Sequence, residues 1–459
     1  MIANIGLLLG LAALILMALR GINILVAALV ASLIVGVTNQ LGMANTLLDY
    51  FPTGPLGAFT FAGQFFILFL TGAIFGKMMS ASGAAASVAN AIIAWLGTRH
   101  TILVTVLACG VLTYGGVVLF VVIFTVYPLG IALMREANLP KRLFCGAVAL
   151  GAGTFTMTAL PGTPSIHNVI AASALGTDLF AGISPGLVAA ALMFGVGMAY
   201  LEWQWRKARA VDEGYESNQR DVEMEQLAPK LEHGPPWQMS LLPLVIVLGS
   251  ILVPRLAVAV GLVDNDTRLV GPLFAFANSQ PILWPSFALV LGSLFSMLFF
   301  ASLRERTMDA LGAGANDSVM PLLNTAAVIG FGGVVTQTEG FATFAQAIIG
   351  LDLPPLVSVA ASVSVVSGIV GSASGGLQIF MQTFAETYLA MGVDPQALHR
   401  IAALASGGLD SLPHSGAVIA MLTIMGLKHR EAYRDIFVVT VVIPIIATLA
   451  AIGVAILVY

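Results

Sequence analysis

Apolar residues in this chain come in long runs: Ile5 to Leu19, Ile22 to Val37, Leu241 to Val260 and Phe437 to Val458. A helix needs about 20 predominantly apolar residues to cross the hydrocarbon core of a bilayer, so these runs predict transmembrane helices. The N-terminal run lacks a basic n-region and leads straight into a second apolar segment, so it is expected to be a first span and not a cleaved signal peptide. One stretch interrupts the pattern from within. "TALPGTPSIHN", Thr158 to Asn168, sits between the apolar "FCGAVALGAG" and "VIAASALG". Proline removes a backbone donor and clashes with the preceding turn, so a continuous helix through Pro161 and Pro164 is not expected. Freed backbone groups at membrane depth must be covered by protein or line a wet cavity. The break is therefore a question about function.

Composition agrees with a membrane location. Of 459 residues, 58% are hydrophobic and 9% charged, where a soluble protein carries about 25% charged residues. The fold class expected is an all-α polytopic membrane protein. Cys109 and Cys145 lie in apolar surroundings and suggest neither a disulfide framework nor a metal cluster. No cofactor or metal is expected. Residues 204–239 are the one plainly aqueous segment, charged and Pro-interrupted. They read as a cytoplasmic linker between an N-terminal half, 1–203, and a C-terminal half, 240–459. The linker's mixed charge gives no reason to expect a nucleic-acid partner.

Lys and Arg favour the cytoplasmic side. With both termini outside, the basic residues fall inside, Lys141, Arg142 and the linker's cations among them. Only Arg255, Arg268 and Arg400 are left outside. This assignment requires two segments not to cross, Thr101 to Met134 and Pro354 to Met391. Each is a pair of short apolar runs joined by a glycine-rich tip, "TYGG" at Thr113–Gly116 and "SASGG" at Ser372–Gly376. They read as re-entrant hairpins, beside about ten spans. By the same reasoning Arg99 and Arg135 share one side, and Asp352 and Arg400 the other.

The halves also resemble each other. "SGAAASVANAIIAWLG" matches "EGFATFAQAIIG", "YGGVVLF" matches "SGGLQIF", "NLPKRL" matches "VDPQAL", and "TALPGTPSIHNVIA" matches "DSLPHSGAVIA", in the same order. The copies cover about 57–180 and about 318–430, and the charge pattern makes them inverted. Inverted repeats with two broken helices and two hairpins are a mark of secondary transporters, with the site at the breaks near the midplane.

Half-helix N-termini favour anions. The tips add Thr113, Tyr114, Gly115, Gly116, Ser372, Ser374, Gly375 and Gly376. The breaks add Thr158, Gly162, Thr163, Ser165, His167, Asn168, Ser411, His414 and Ser415. Hydroxyls both donate and accept, and the cores of these elements contain no Lys or Arg. Such a site suits a small hydroxy carboxylate better than a di- or tricarboxylate. Ionisable residues at depth mark pathways by default. Asp410 and His414, four apart across Pro413, are the candidates for proton coupling, with His414 also able to act as a neutral donor. His167 suits capping or packing as well as ligand contact, and Glu386 suits the aqueous end of its hairpin. The residues leave proton and sodium coupling both open.

The chain resembles the gluconate permease (gluconate:proton symporter, GntP) family of the ion transporter superfamily. The residues that carry this are "LTYGGVVLFVVIFTVYPLGIALMREANLPKRL", "GTFTMTALPGTPSIHN", "GSASGGL" and "ASGGLDSLPHSGAVI". It looks closer to the hydroxybutyrate-permease-like branch than to the gluconate permeases proper. The resemblance implies proton-coupled uptake of sugar acids or short hydroxy acids across a bacterial inner membrane. It also implies a homodimer in which an elevator-type transport domain carries both hairpins and both breaks. An enzyme is not expected, since no GxSxG, HExxH or paired metal-ligand motif appears. A channel and a cation/proton antiporter are the remaining rivals.

Overall fold

A computed structural model describes residues 2–117, 119–227, 234–263, 270–350 and 353–459. Arg268 and Asp352, used above to orient the chain, lie outside the described residues. The architecture is all helical, with no strand among the described residues.

Helices α1 (Ile2–Leu19) and α2 (Ile24–Thr38) pack together, and a short turn, α3 (Met43–Asn45), leads on. Then come α4 (Ala58–Ala81), α5 (Ala84–Leu96), α6 (Thr101–Tyr114), α7 (Leu119–Ala137), α8 (Lys141–Gly153), α9 (Ile166–Leu175) and α10 (Ile183–Ala210). After α11 (Gln219–Leu227) follow α12 (Trp237–Ala259), α13 (Val270–Ser279) and α14 (Leu283–Phe299). The next series is α15 (Thr307–Val335), α16 (Glu339–Ile349), α17 (Pro355–Val370), α18 (Ala373–Thr383) with α19 (Ala385–Ala390), α20 (Pro395–Ser406) and α21 (Gly416–Met425). It closes on α22 (His429–Phe437) and α23 (Ile443–Val458), which a π turn joins into one 30-residue apolar helix.

The order α4 to α10 recurs as α15 to α23: a long helix, a short helix, a helical hairpin, a helix broken at proline, and a long helix. Equivalent members pack on each other, α4 against α15 and α10 against α23. Among the described residues five helices are long and apolar enough to cross a membrane, and α13 with α14 makes a sixth if taken as one span bent by 108°. The shorter apolar helices belong mostly to hairpins and broken elements. One hairpin limb is longer than expected of a half-span: α7 has 19 residues and passes through Pro128. Helix α8, by contrast, is buried from Leu143 to Ala152 and rich in Ala and Gly, which lets neighbouring backbones approach closely.

Two sequence expectations change. Residues 204–210 of the aqueous segment continue α10, with Lys207 over the Trp203 ring at 3.4 Å and Arg209 over Trp205 at 3.8 Å. Beyond them, residues 213–221 are docked. Asp221 is fully buried and takes Lys141 Nζ at 2.6 Å and the Tyr127 hydroxyl at 2.5 Å. Asn218 donates to the Met425 and Gly426 carbonyls at the end of α21. Arg142 forks onto Glu213 at 2.6 and 2.8 Å, which holds that carboxyl below its ordinary range. Local polarity makes this segment look like a free loop because its partners are remote in sequence.

The second change concerns Arg400. It is no outer-loop charge but is fully buried on α20, bonded to the first break. A cysteine placed there is consequently no reporter of sidedness.

Candidate functional site

Both breaks fall where the prolines place them. The first runs from Thr154 to Ser165 between α8 and α9 and includes a π turn at Phe155–Ala159. The second runs from Gly407 to Ser415 between α20 and α21, with a 3₁₀ turn at Leu409–Ser411. Each hairpin tip also ends in a helix terminus. In the second hairpin Gly371 closes α17 at φ 62°, a left-handed conformation that suits glycine. Ser372 then caps α18 by accepting from the Gly375 amide at 3.2 Å.

These four pieces meet at one cavity of about 410 Å³. From the first tip come Thr113 and Gly116, and from the first break Thr158, Ser165 and His167. The second tip contributes Ser372 and Ser374. The second break contributes Asp410, Ser411, His414 and Ser415. The N-terminal residues of α9, α18 and α21 all line the space. The first amides of a helix have no intrahelical partner, and no side chain caps α21. Partial positive charge from several helix ends therefore gathers at one point. Among the described lining residues there is no Lys or Arg, and Asp410 is the one carboxylate.

Individual side chains divide into those that face the cavity and those that hold its frame. Thr113 Oγ1 and His167 Nδ1 are buried with no hydrogen-bond partner among the described residues. His414 turns its Nε2 to the Gly368 carbonyl at 3.0 Å. Asp410 accepts from the Ser411 hydroxyl at 3.2 Å, and no hydrogen bond joins it to His414 among the described residues. Tyr114 does not line the cavity; its hydroxyl donates to the Pro161 carbonyl at 2.9 Å. Asn168 also lies behind the wall, with Nδ2 on the Leu160 and Thr163 carbonyls and Oδ1 receiving Arg400. Gly115, Gly162, Gly375 and Gly376 pack against Leu244, Phe180, Val328 and Ser367 respectively, and Thr163 is fully buried. Glu386 is exposed and does not line the cavity.

Three polar lining residues escape the sequence reading, Asn324, Thr325 and Thr440, the last from the π turn Val438–Val442. Asn324 and Thr325 face the cavity from α15, outside both hairpins and breaks. Asn324 Oδ1 is buried without a partner among the described residues. The signal of Asn324 and Thr325 is an Asn-Thr pair in the otherwise apolar second half of α15, Val319 to Val335. No cluster of three or more His, Cys, Asp or Glu placed to hold a metal occurs among the described residues.

Comparison with known proteins agrees with this architecture. Residues 2–409 match the model of the GntP family permeases. The chain is 38% identical over 404 residues to the uncharacterized transporter YxjC of Bacillus subtilis (strain 168), covering 83% of this chain and 84% of that protein. It is 26% identical over 323 residues to the high-affinity gluconate transporter of Escherichia coli (strain K12), covering 69% and 66%. Two solved structures share the fold. The YdaH transporter of Alcanivorax borkumensis has a TM-score of 0.53 at 14% identity, over 86% of each chain. MtrF of Neisseria gonorrhoeae has a TM-score of 0.52 at 12% identity, over 92% of this chain and 84% of that one. These relatives are transporters and not enzymes. A multi-pass helical membrane protein with a cavity at paired helix breaks, matched over residues 2–409, belongs to the GntP family of permeases.

Proposed function

We propose that this permease imports a small organic anion, a hydroxy monocarboxylate such as hydroxybutyrate or a sugar acid such as gluconate, by proton symport. The observation that carries the reading is the cavity wall. Several helix N-termini and a set of hydroxyls meet there with, among the described residues, one carboxylate and no Lys or Arg. Backbone amides and hydroxyls suit a carboxylate and its hydroxyl groups. Asp410, beside the substrate, is suited to carry the coupling proton, with His414 as its neighbour across Pro413. A carboxylate that must be protonated before it shares a cavity with a substrate anion couples the two movements.

The cavity also suggests how access alternates. Most of its polar lining belongs to the hairpins and breaks, and Asn324 of α15, Leu68 of α4 and Leu289 of α14 also line it. In an elevator, the first group slides against the second and carries the site across the membrane. The two repeats are inverted in this reading. The protein is a homodimer in the bacterial inner membrane with both termini outside. The identity to a gluconate transporter favours sugar acids, and the small cavity admits shorter acids equally.

Sodium coupling is the second reading, because the cavity offers oxygen ligands as well. Proteoliposomes decide between them. An imposed pH gradient should drive accumulation of hydroxybutyrate or gluconate, and a sodium gradient alone should not. Accumulation only with sodium would overturn proton coupling.

A further inference from the structure

Arg400 is the largest fully buried side chain of the described residues. Its Nε and Nη2 donate to the Ala181 carbonyl at 3.0 and 2.8 Å, and Nη2 reaches the Leu179 carbonyl at 3.4 Å. Its Nη1 donates to Asn168 Oδ1 at 2.8 Å and to the Thr158 carbonyl at 3.3 Å. All these acceptors are neutral. Among the described residues no carboxylate lies within ion-pair distance of it, and nearby Asp178 is engaged by Arg255. The fold makes room for the side chain. A Cβ on Gly182 would collide with Arg400 Cβ, and one on Gly186 would stand 3.1 Å from its Cδ.

A buried cation without a counter-ion is costly, and a hydrophobic residue of similar volume often serves stability as well or better. Ionisable groups at membrane depth are therefore functional candidates. The position of this one is informative. Thr158, whose carbonyl it holds, lines the cavity, and Asn168 adjoins His167, which also lines it. The guanidinium lies behind the wall of a site that presents no cation of its own.

We propose that Arg400 is a positioning residue that sets anion selectivity: its uncompensated charge, held behind the first break, favours a carboxylate over an isosteric neutral ligand. The proposal rests on the reading of the substrate as a carboxylate. Interactions of this kind are weakly screened inside protein, so a charge need not touch the ligand to discriminate. If Arg400 only solders the break, its loss weakens charged and neutral ligands alike.

The test compares binding of 3-hydroxybutyrate and of 3-hydroxybutyramide by purified protein, using concentration-dependent thermal stabilisation. The unaltered protein should prefer the carboxylate. Arg400→Gln, which keeps donors but not charge, should shrink that preference about tenfold, whereas Arg400→Lys should retain most of it. Asn168→Asp keeps the guanidinium and places a carboxylate against it, so it should shrink the preference too; it carries the test if Arg400→Gln does not fold. Unchanged preference in both neutralising variants would overturn the proposal. So would equal losses of preference in Arg400→Lys and Arg400→Gln. An unaltered protein that binds the amide as tightly as the acid would instead overturn the carboxylate reading itself.

Discussion

The two helix breaks answer the same physical problem with different means. Each frees backbone carbonyls that need donors at membrane depth. The first takes twelve residues, Thr154 to Ser165, and is braced from all sides. Ser165 serves the Met157 carbonyl, Arg400 serves Thr158, Tyr114 serves Pro161, and Asn168 serves Leu160 and Thr163. The second takes nine residues, Gly407 to Ser415, and Leu409 to Pro413 are only partly buried. Its carbonyls are met from one helix, α22: Tyr433 donates to Ser411 at 3.1 Å and His429 pairs with the Pro413 carbonyl at 2.8 Å. The second break alone carries an acid, Asp410. The first break is thus the more heavily braced of the two, and the second is less buried and carries the titratable group. Sequence symmetry does not enforce symmetry of role.

The contrast is easiest to break at Asn168. Its amide fills its hydrogen-bonding capacity with two carbonyls, Arg400 and, at 3.4 Å, His399 Nε2. Asn168→Ala orphans a charged donor and two carbonyls, and a lost bond to a charged group alone costs about 1.5–3 kcal/mol. A large fall in thermal midpoint is expected, with loss of transport. A midpoint near that of the unaltered protein would show that the first break is not the rigid one.

Tyr433→Phe removes one bond from the second break, a cost of about 1 kcal/mol. The thermal midpoint should move little, and less than for Asn168→Ala by a clear margin. Transport should respond more than stability, because the break borders Asp410. Hydrogen exchange sharpens the comparison: amides of Gly407–Ser415 should exchange faster than those of Thr154–Ser165. The reverse order would contradict the assignment of roles.

His414→Gln has the smallest expected effect on stability, since glutamine can still donate to the Gly368 carbonyl that His414 now meets. If His414 shares the coupling proton, uphill uptake falls while counterflow of labelled substrate persists. If it only helps to bind substrate, both fall together, by roughly 10- to 150-fold in affinity for a lost bond to a charged group.

Much of this architecture is legible in the amino-acid sequence. Pro161, Pro164 and Pro413 break helices by their own covalent geometry, and the glycine tips follow from the need for tight turns. The order of elements then repeats as the sequence does. The roles of Arg400 and Asn168 are not legible there. Arg400 bonds residues 219 to 242 positions away, and no local pattern reports such partners. Its polar neighbours Asp394, Gln396 and His399 make it look like part of the start of an exposed helix. Asn168 looks like a ligand residue because an asparagine at a break can serve either ligand or frame; only its filled hydrogen bonds tell which. Asn324 is hidden for the opposite reason. It sits in a helix without a break, and its importance comes from what packs opposite.

In the proposed function the cavity couples an organic anion to a proton through Asp410. Asp410→Asn removes the titratable group while keeping its size and its place beside Ser411. In proteoliposomes loaded with gluconate or hydroxybutyrate, this variant should still exchange labelled substrate. Under an imposed pH gradient it should accumulate none above equilibrium. Uphill accumulation by Asp410→Asn at the rate of the unaltered protein would contradict proton coupling through this residue.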